Sequence, residues 1–198
     1  MGKWEKTFDT KNVRICCAIQ RRTTTIEVGD IGRTSEGRKF INVELIPEMV
    51  EDLHEGADVL FVGTDSSWDY KYFFWNPSIL CNFKTMDINE SFKPDIVGDI
   101  SNCPQVEDNS QDLVLLIGVY EFVNDKDAMF KEINRILKPE GRALLSLPGA
   151  GFYESPDNHV EPWEVWDKVK HLRIKKMYVI GESEEHRPTS VHLIVHKI

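Results

Sequence analysis

Two long apolar runs limit what this chain can fold into. Residues 58–63, DVLFVG, and residues 112–120, DLVLLIGVY, are apolar at nearly every position, as expected for strands that are covered on both faces. Helical spacing of apolar residues follows them, most clearly at 125–137, DKDAMFKEINRIL. Apolar runs that alternate with helices predict an α/β fold with a doubly wound, mostly parallel sheet.

The remaining segments continue this alternation. Residues 47–56, PEMVEDLHEG, begin with a proline that a first helical turn tolerates and end with a glycine, which is typical of a short helix. The other predicted elements are helices at 68–75 and 161–172 and strands at 82–87, 95–99, 142–148, 174–181 and 190–198. With the two apolar runs, the predicted sheet has seven strands.

The first 45 residues have a different character. Short β-rich pieces at 13–20, 23–29 and 39–45 are separated by turn-forming residues, so two or three strands are expected there. We therefore predict a β-rich N-terminal extension at 1–45, followed by one domain at 46–198.

Charge and composition exclude several kinds of partner. The chain has 24 basic and 33 acidic residues, a net charge of -9, and no basic block, which argues against nucleic acid. The longest apolar run is much shorter than the roughly 20 residues of a membrane span, and the start lacks a signal-like apolar segment, so a cytoplasmic protein is expected. The four cysteines form no C-x-x-C pair, and His192 and His196 share one face of a strand without a nearby third ligand, so no metal site is predicted.

Small and acidic residues follow the predicted strands where a parallel sheet binds ligands. Gly63 follows the first strand of the alternating region, Asp87 ends the second and Asp99 follows the third. A glycine lets the backbone approach a ligand closely, one carboxylate can accept both hydroxyl protons of a ribose, and another can reach an adenine amino group. Together these residues describe a site shaped for an adenosine.

Residues 95–149 carry five ordered motifs: GDISNCP, EDNSQD, VYEFVND, RILKPEG and LSLPG. In this order they resemble the second half of class I S-adenosylmethionine-dependent methyltransferases of the small-molecule, type 11 kind. Several ordered motifs make a much stronger signal than a lone glycine motif. The resemblance extends over about residues 46–198 and implies a Rossmann-like methyltransferase fold with a final antiparallel strand.

The resemblance also implies a cofactor, a product and a site. The cofactor is S-adenosylmethionine and the product S-adenosylhomocysteine, and the acceptor is a small molecule or a sugar-containing precursor. No nucleic acid or membrane is expected as a partner. The implied cofactor-binding residues are Gly63, Thr64, Asp65, Asp87, Ile88, Asp99, Ile100 and Gly118.

Two glycine turns compete for the first motif of this family. IEVGDIGR at 26–33 has more glycines than VLFVGTDSS at 59–67, but only 15 residues separate Gly29 from the next strand-end acid, which leaves no room for a helix. From Gly63 to Asp87 there are 24 residues, enough for a helix and a strand. We therefore assign the cofactor turn to Gly63, although Asp65 or a serine stands where a second glycine is usual.

Candidate catalytic residues lie after the fourth and fifth strands. Glu121 occupies the glutamate position of the VLEHV-like motif, where it either caps the next helix or binds substrate, and Tyr120 either borders the methyl group or packs in the core. In the loop that follows the fifth strand, Asp157 and His159 are candidate bases, with a solvated surface histidine as the alternative. Tyr153 and Trp163 are candidate walls of the acceptor pocket.

Two other functions compete with methyl transfer. The altered glycine turn and Phe122, which replaces the histidine of the family motif, are compatible with a catalytically inactive binding or regulatory protein of the same fold. A nicotinamide-dependent oxidoreductase would also use a Rossmann sheet, but it would not explain VYEFVND, LKPEG or the last strand. Methyl transfer is the preferred interpretation.

Overall fold

The structure is a computed structural model. It describes residues 5–7, 13–19, 22–29, 45–51, 53–63, 81–151, 157–180 and 190–198. The strands are β1 Glu5–Thr7, β2 Val13–Ile19, β3 Arg22–Gly29, β4 Asp58–Val62, β5 Asn82–Asp87, β6 Ile96–Val97, β7 Gln111–Ile117, β8 Leu137–Pro148, β9 Arg173–Ile180 and β10 Ser190–His196. The helices are α1 Ile46–Glu51, α2 Lys126–Ile136 and α3 Val165–Lys168, and two short 3-10 helices cover Glu90–Phe92 and Tyr120–Phe122.

The strands form one ten-stranded sheet in the order β1-β2-β3-β9-β10-β8-β7-β4-β5-β6. The five strands from β8 to β6 in this order are parallel. β10 runs antiparallel to both of its neighbours, β8 and β9. The predicted α/β class is confirmed. The seven predicted strands correspond to β4–β10, which are mostly parallel with an antiparallel last strand as predicted, and β1–β3 bring the sheet to ten strands.

The predicted N-terminal strands at 13–20 and 23–29 correspond to β2 and β3. β2 pairs antiparallel with β3, and β3 pairs parallel with β9, so these strands continue the main sheet beyond its β9 edge. The predicted strand at 39–45, apart from Leu45, and the predicted helix at 68–75 lie outside the described residues.

The apolar runs are buried on both faces, as their composition predicts. On one face, Leu60 and Val62 of β4 belong to the core that α2 and α3 cover. On the other face, Val59 and Phe61 belong to a second core that α1 covers. Because side chains alternate along a strand, a strand with a core on each face must be apolar at consecutive positions.

Several elements differ from their predicted extent: α1 ends at Glu51 rather than at Gly56, and β6 covers only Ile96–Val97. The predicted helix at 161–172 is α-helical only over α3, and turns with i to i+3 bonds flank it, such as Glu164 N–H to Glu161 O and Leu172 N–H to Val169 O. Valines and tryptophans favour the helix weakly, so the tertiary contacts of this segment decide its shape. β8 begins at Leu137, five residues before the predicted start, because α2 passes directly into the strand.

Arg135 of α2 fastens the loop between β6 and β7 to the helix. Its guanidinium donates to the carbonyls of Cys103 at 3.0 Å and Val106 at 2.9 Å and pairs with Asp108. It also contacts both carboxylate oxygens of Glu132, and this interaction is the main reason that the pKa of Glu132 falls to about 2. The arginine of RILKPEG therefore holds the loop that contains NCPQVED.

We predict that Arg135→Lys lowers the free energy of unfolding by about 2–3 kcal/mol, since lysine cannot present the planar fork of donors that these partners use. Urea denaturation followed by circular dichroism measures the change. Arg173→Lys is the matched control, because Arg173 is exposed on β9. Equal losses in the two variants would contradict the role of Arg135.

A second polar cluster joins the amino ends of β4, β7 and β8. The Lys138 ammonium lies 2.6 Å from Asp112 and 2.9 Å from Asp58, and the Asp58 N–H donates to Asp112 at 2.8 Å. Burial alone would raise the pKa of Asp112, but the hydrogen bonds from Lys138, the Asp58 N–H and His54 outweigh it and leave the pKa below its ordinary value. The pKa of Lys138 is raised, chiefly by its hydrogen bond to Asp112.

We predict that Asp112→Asn lowers the free energy of unfolding at pH 7 by about 1–2 kcal/mol. A carboxylate whose pKa is lowered by folding stabilises the fold above its unfolded pKa, near 3.9, and loses that effect as the pH falls from there through the folded pKa. The difference between wild type and Asp112→Asn should therefore shrink below about pH 4 in a urea titration at several pH values. Asp167→Asn, at an exposed position of α3, should show little difference at any pH.

Candidate active site

The turn after β4 touches the turn after β7. Gly63 has a φ of +86° and donates its N–H to the Met86 carbonyl at 2.9 Å. A Cβ on Gly63 would lie 2.1 Å from Cγ2 of Val119, which is far inside contact distance. Both the backbone conformation and the close approach therefore require glycine at this position.

β5 ends on Asp87, as predicted. Its Oδ1 accepts the N–H of Asn89 at 2.8 Å, which fixes the carboxylate at the edge of the sheet. The other oxygen accepts no hydrogen bond from a residue that the structure describes. Ile88, the next residue, is 72% exposed and presents an apolar side chain beside this carboxylate.

Asp99 follows β6 and closes a tight turn. Its Oδ1 accepts hydrogen bonds from both the N–H and the hydroxyl of Ser101, each at 2.8 Å. Ile100 is only 3% exposed and belongs to the core, so its side chain does not face a ligand and only its backbone is available for binding.

Gly118 opens the segment that follows β7. Its φ is +66°, and no described atom lies within 4 Å of the position that a Cβ would take. β4 lies between β5 and β7, and β6 is next to β5. Gly63, Asp87, Asp99 and Gly118 therefore line the same carboxyl edge of the parallel strands.

Tyr120 belongs to the hydrophobic core. It is 1% exposed, and its ring packs against Phe130 with centroids 6.2 Å apart. Burial, followed by the nearby charges of Glu164 and Asp157, raises the pKa of its phenol to about 12. The phenol is thus protonated at neutral pH, and its ring has the packing role.

Glu121 follows Tyr120 on the short 3-10 helix after β7. Its Oε2 is buried and has no hydrogen-bond partner among the described residues. Burial raises the pKa of Glu121 above its ordinary value, against weaker opposing effects of a hydrogen bond from its own backbone N–H and of the Lys126 charge. The alternative capping role belongs instead to Asp125, whose carboxylate accepts the Ala128 N–H at 2.9 Å.

Lys126 is a residue of this site that the sequence analysis did not single out. Its ammonium donates to the Val123 carbonyl at 3.0 Å and lies 5.0 Å from the centroid of the Tyr120 ring. Burial lowers its pKa, although Asp157 acts in the opposite direction. A lysine at the first turn of a predicted helix resembles any solvated lysine, so the sequence carried no signal for this role.

The loop after β8 returns to the same edge of the sheet. The Val160 N–H donates to the Pro148 carbonyl at 2.8 Å, which anchors the loop beside the end of the strand. The His159 side chain is only 13% exposed and lies 3.9 Å from the Glu161 carboxylate, so the alternative of a solvated surface histidine is wrong. Trp163 is 55% exposed.

The structure brings only some of the predicted site residues together. Asp157 is near enough to Tyr120 and Lys126 to affect their titration, whereas His159 pairs with Glu161 in the same loop. Thr64, Asp65 and Tyr153 lie outside the described residues. The rival Gly29 ends β3, which is separated from β4 by four strands of the sheet, so that turn cannot share a site with Asp87.

The surroundings of the two histidines of β10 do not favour metal binding. His192 is buried, and its Nε2 lies 3.1 Å from the Ser190 hydroxyl. Burial lowers its pKa to about 3, so it is neutral at physiological pH. His196 pairs across the sheet with Arg142 and Arg173, whose charges disfavour a metal cation. In the part of the chain that the structure describes, no three His, Cys, Asp or Glu residues are placed to hold a metal ion.

Comparisons with known proteins agree with this geometry. A family model described as a methyltransferase domain matches residues 78–145. A S-adenosylmethionine-dependent methyltransferase from Aquifex aeolicus has a TM-score of 0.64 and 15% identity, over 84% of this chain and 94% of that one. The chain carries the class I methyltransferase fold. The fold that the resemblance implies is confirmed, and the family model supports the resemblance over residues 78–145.

Further solved structures share the methyltransferase fold at low identity. A putative type 11 methyltransferase from Sulfolobus solfataricus has a TM-score of 0.56 and 18% identity, over 85% of this chain and 95% of that one. The trans-methyltransferase CalH, in complex with SAH, has a TM-score of 0.62 and 16% identity, over 84% of this chain but only 60% of its own. A comparison with curated protein sequences found no match.

We predict that Gly63→Ala destabilises this methyltransferase fold by about 3 kcal/mol, because the new methyl group meets Val119 and the positive φ disfavours alanine. Val119→Ala removes Cγ2 and should cost about 1 kcal/mol by itself. The double variant should lose clearly less than the sum of the two, and a double-mutant cycle of urea unfolding measures the difference. Strict additivity would show that the two turns do not pack as described.

Proposed function

We propose that this chain binds S-adenosylmethionine at the carboxyl ends of β4 to β7 and transfers its methyl group to a small-molecule or sugar-containing acceptor. The observation that carries the proposal is the carboxylate of Asp87, fixed at the end of β5 beside the glycine turn of β4. One of its oxygens is held by the backbone, and the other is available for the hydroxyl groups of a ribose.

The surrounding residues fit the other parts of this cofactor. The exposed Ile88 offers an apolar surface for a purine ring, and Asp99 lies one strand further, where a carboxylate can accept from an amino group. No described atom lies within 4 Å of the Cβ position of Gly118, which favours binding there of the part of the cofactor that extends toward β7. Thr64, Asp65 and the backbone of Ile100 complete the proposed cofactor site.

The cofactor supplies an activated methyl group, so the protein mainly has to align an acceptor and exclude water. Glu121 is the best-placed proton acceptor, since its buried carboxylate lies on the segment that follows Gly118, and burial raises its pKa and makes it a stronger base than an exposed glutamate. Asp157 and His159, in the loop after β8, are further candidate bases. Tyr120 shapes the wall of the site from the core.

The competing functions have less support. The dinucleotide-binding fold has no antiparallel strand inserted next to its last parallel strand, whereas β10 lies between β8 and β9, which disfavours a nicotinamide-dependent oxidoreductase. The comparisons contain nothing that favours a catalytically inactive protein over an enzyme.

The division of the chain and its location remain part of the proposal. We assign residues 46–198 to the methyltransferase-like domain and residues 1–45 to an extension of its sheet. No described helix has the length and apolar character that crossing a membrane requires. Cytoplasmic location stays a prediction from the sequence.

We predict that calorimetric titration of the purified chain shows binding of S-adenosylmethionine and S-adenosylhomocysteine in the micromolar range. Asp87→Ala should weaken both by about 10- to 100-fold, the effect of losing hydrogen bonds to a charged group. Asp167→Ala, at an exposed position of α3, is the matched control and should bind both compounds normally. Absence of heat and of any thermal shift at millimolar cofactor would refute the proposed function.

A further inference from the structure

The acceptor side of the proposed site is bordered by acidic groups. Glu121 follows Tyr120 on the short helix after β7, and the charges of Glu164 and Asp157 in the loop after β8 reach the Tyr120 phenol. These three carboxylates come from two separate loops that the sheet brings to one edge. An acceptor that approaches the methyl group from these loops therefore meets negative charge.

Glu121 carries the most informative contact of this group. Its Oε2 is shielded from solvent, yet no described residue donates a hydrogen bond to it. A buried acceptor atom of this kind is costly unless a donor satisfies it. The donor that this position can receive from the acceptor side is an N–H or O–H group of a bound molecule.

The cations near these carboxylates already have protein partners. Lys126 donates to the Val123 carbonyl and lies over the Tyr120 ring, and Lys168 lies 3.9 Å from Glu164. Residues 118–126 and 157–168 contain no arginine. An acceptor with a carboxylate or phosphate would thus lack a free cation among these residues and would be repelled by the acidic groups.

Aromatic side chains border the same two loops. Phe122 is 75% exposed on the helix that carries Glu121, and Trp163 is 55% exposed next to Glu164. Exposed aromatic faces attract both apolar groups and cations, and cation–π contacts add to the effect of nearby carboxylates. The combination of aromatic faces and carboxylates is complementary to an ammonium group on an apolar body.

We propose that the methyl acceptor is a primary or secondary amine attached to an apolar or ring-containing body, which Glu121, Asp157 and the exposed Phe122 select. This inference rests on the proposed function and narrows its acceptor. The amine binds as its ammonium form and first gives one proton to the Glu121 carboxylate. The lone pair of the resulting neutral amine then forms the C–N bond while the C–S bond breaks and leaves its electron pair on sulfur, and the N-methylammonium product carries the positive charge that the sulfonium loses.

Three probes of similar size and different charge test this inference. Phenethylamine, 2-phenylethanol and 3-phenylpropionate are titrated by calorimetry into the 198-residue chain saturated with S-adenosylhomocysteine. We expect the amine to bind at least about tenfold more tightly than the alcohol, and the carboxylate to bind most weakly. Release of S-adenosylhomocysteine from S-adenosylmethionine, measured with the same probes, should rank them in the same order.

Variants then locate the preference. Glu121→Gln and Asp157→Asn should each reduce the preference for the amine over the alcohol several-fold. Glu140→Gln, at an exposed position at the start of β8, is the matched control and should preserve the preference. Circular dichroism and S-adenosylhomocysteine affinity report whether the variants are folded, and the wild-type ranking of probes does not depend on any variant.

The outcomes separate the two proposals. If S-adenosylhomocysteine does not bind, the proposed function fails and the amine inference fails with it. If it binds but the amine shows no advantage over the alcohol and the carboxylate up to millimolar concentration, only the amine inference is overturned. A preference for the amine that Glu140→Gln also removes would overturn the assignment to Glu121 and Asp157.

Discussion

The burial of β4 and β7 on both faces is the constraint on which the rest of the structure depends. Each strand is apolar at consecutive positions because one core lies under α2 and α3 and another under α1. Polar chemistry cannot enter such strands without breaking a core, so it is confined to their ends. One end is used for stability and the other is available for a ligand.

The charged groups at the two ends of the strands differ in whether they have partners within the protein. At the amino edge, Lys138 forms ion pairs with both Asp58 and Asp112, so the charged groups there have partners within the protein. At the carboxyl edge, Asp87 and Glu121 each keep an oxygen without a hydrogen bond from a described residue. Paired charges fix the strands relative to one another, whereas open acceptors can bind hydroxyl or amine groups.

The sequence predicted the elements best where burial dictates the pattern. β5 ends at Asp87 as predicted, and α2 lies within one residue of both predicted bounds, whereas β7 begins one residue before its predicted start and ends three residues before its predicted end. The helix at 161–172 was predicted too long, because periodicity does not register the turns that anchor the loop to Pro148. The burial of His159 and Ile100 could not be predicted from the sequence either, since burial of a loop residue depends on contacts with distant parts of the chain.

The sequence by itself determined the fold class, the order of strand-end acids and the choice of Gly63 over Gly29, because strand burial and segment length impose these features locally. Only the tertiary structure decided that Gly63 packs against Val119, that Tyr120 is a core residue, and that Lys126 is engaged beside Glu121. The contacts of Lys126 lie within residues 120–126 and depend on how that segment turns. The packing of Gly63 and Tyr120 joins residues from different elements, and its distances follow from how the strands are ordered in the sheet, which no short stretch of sequence records.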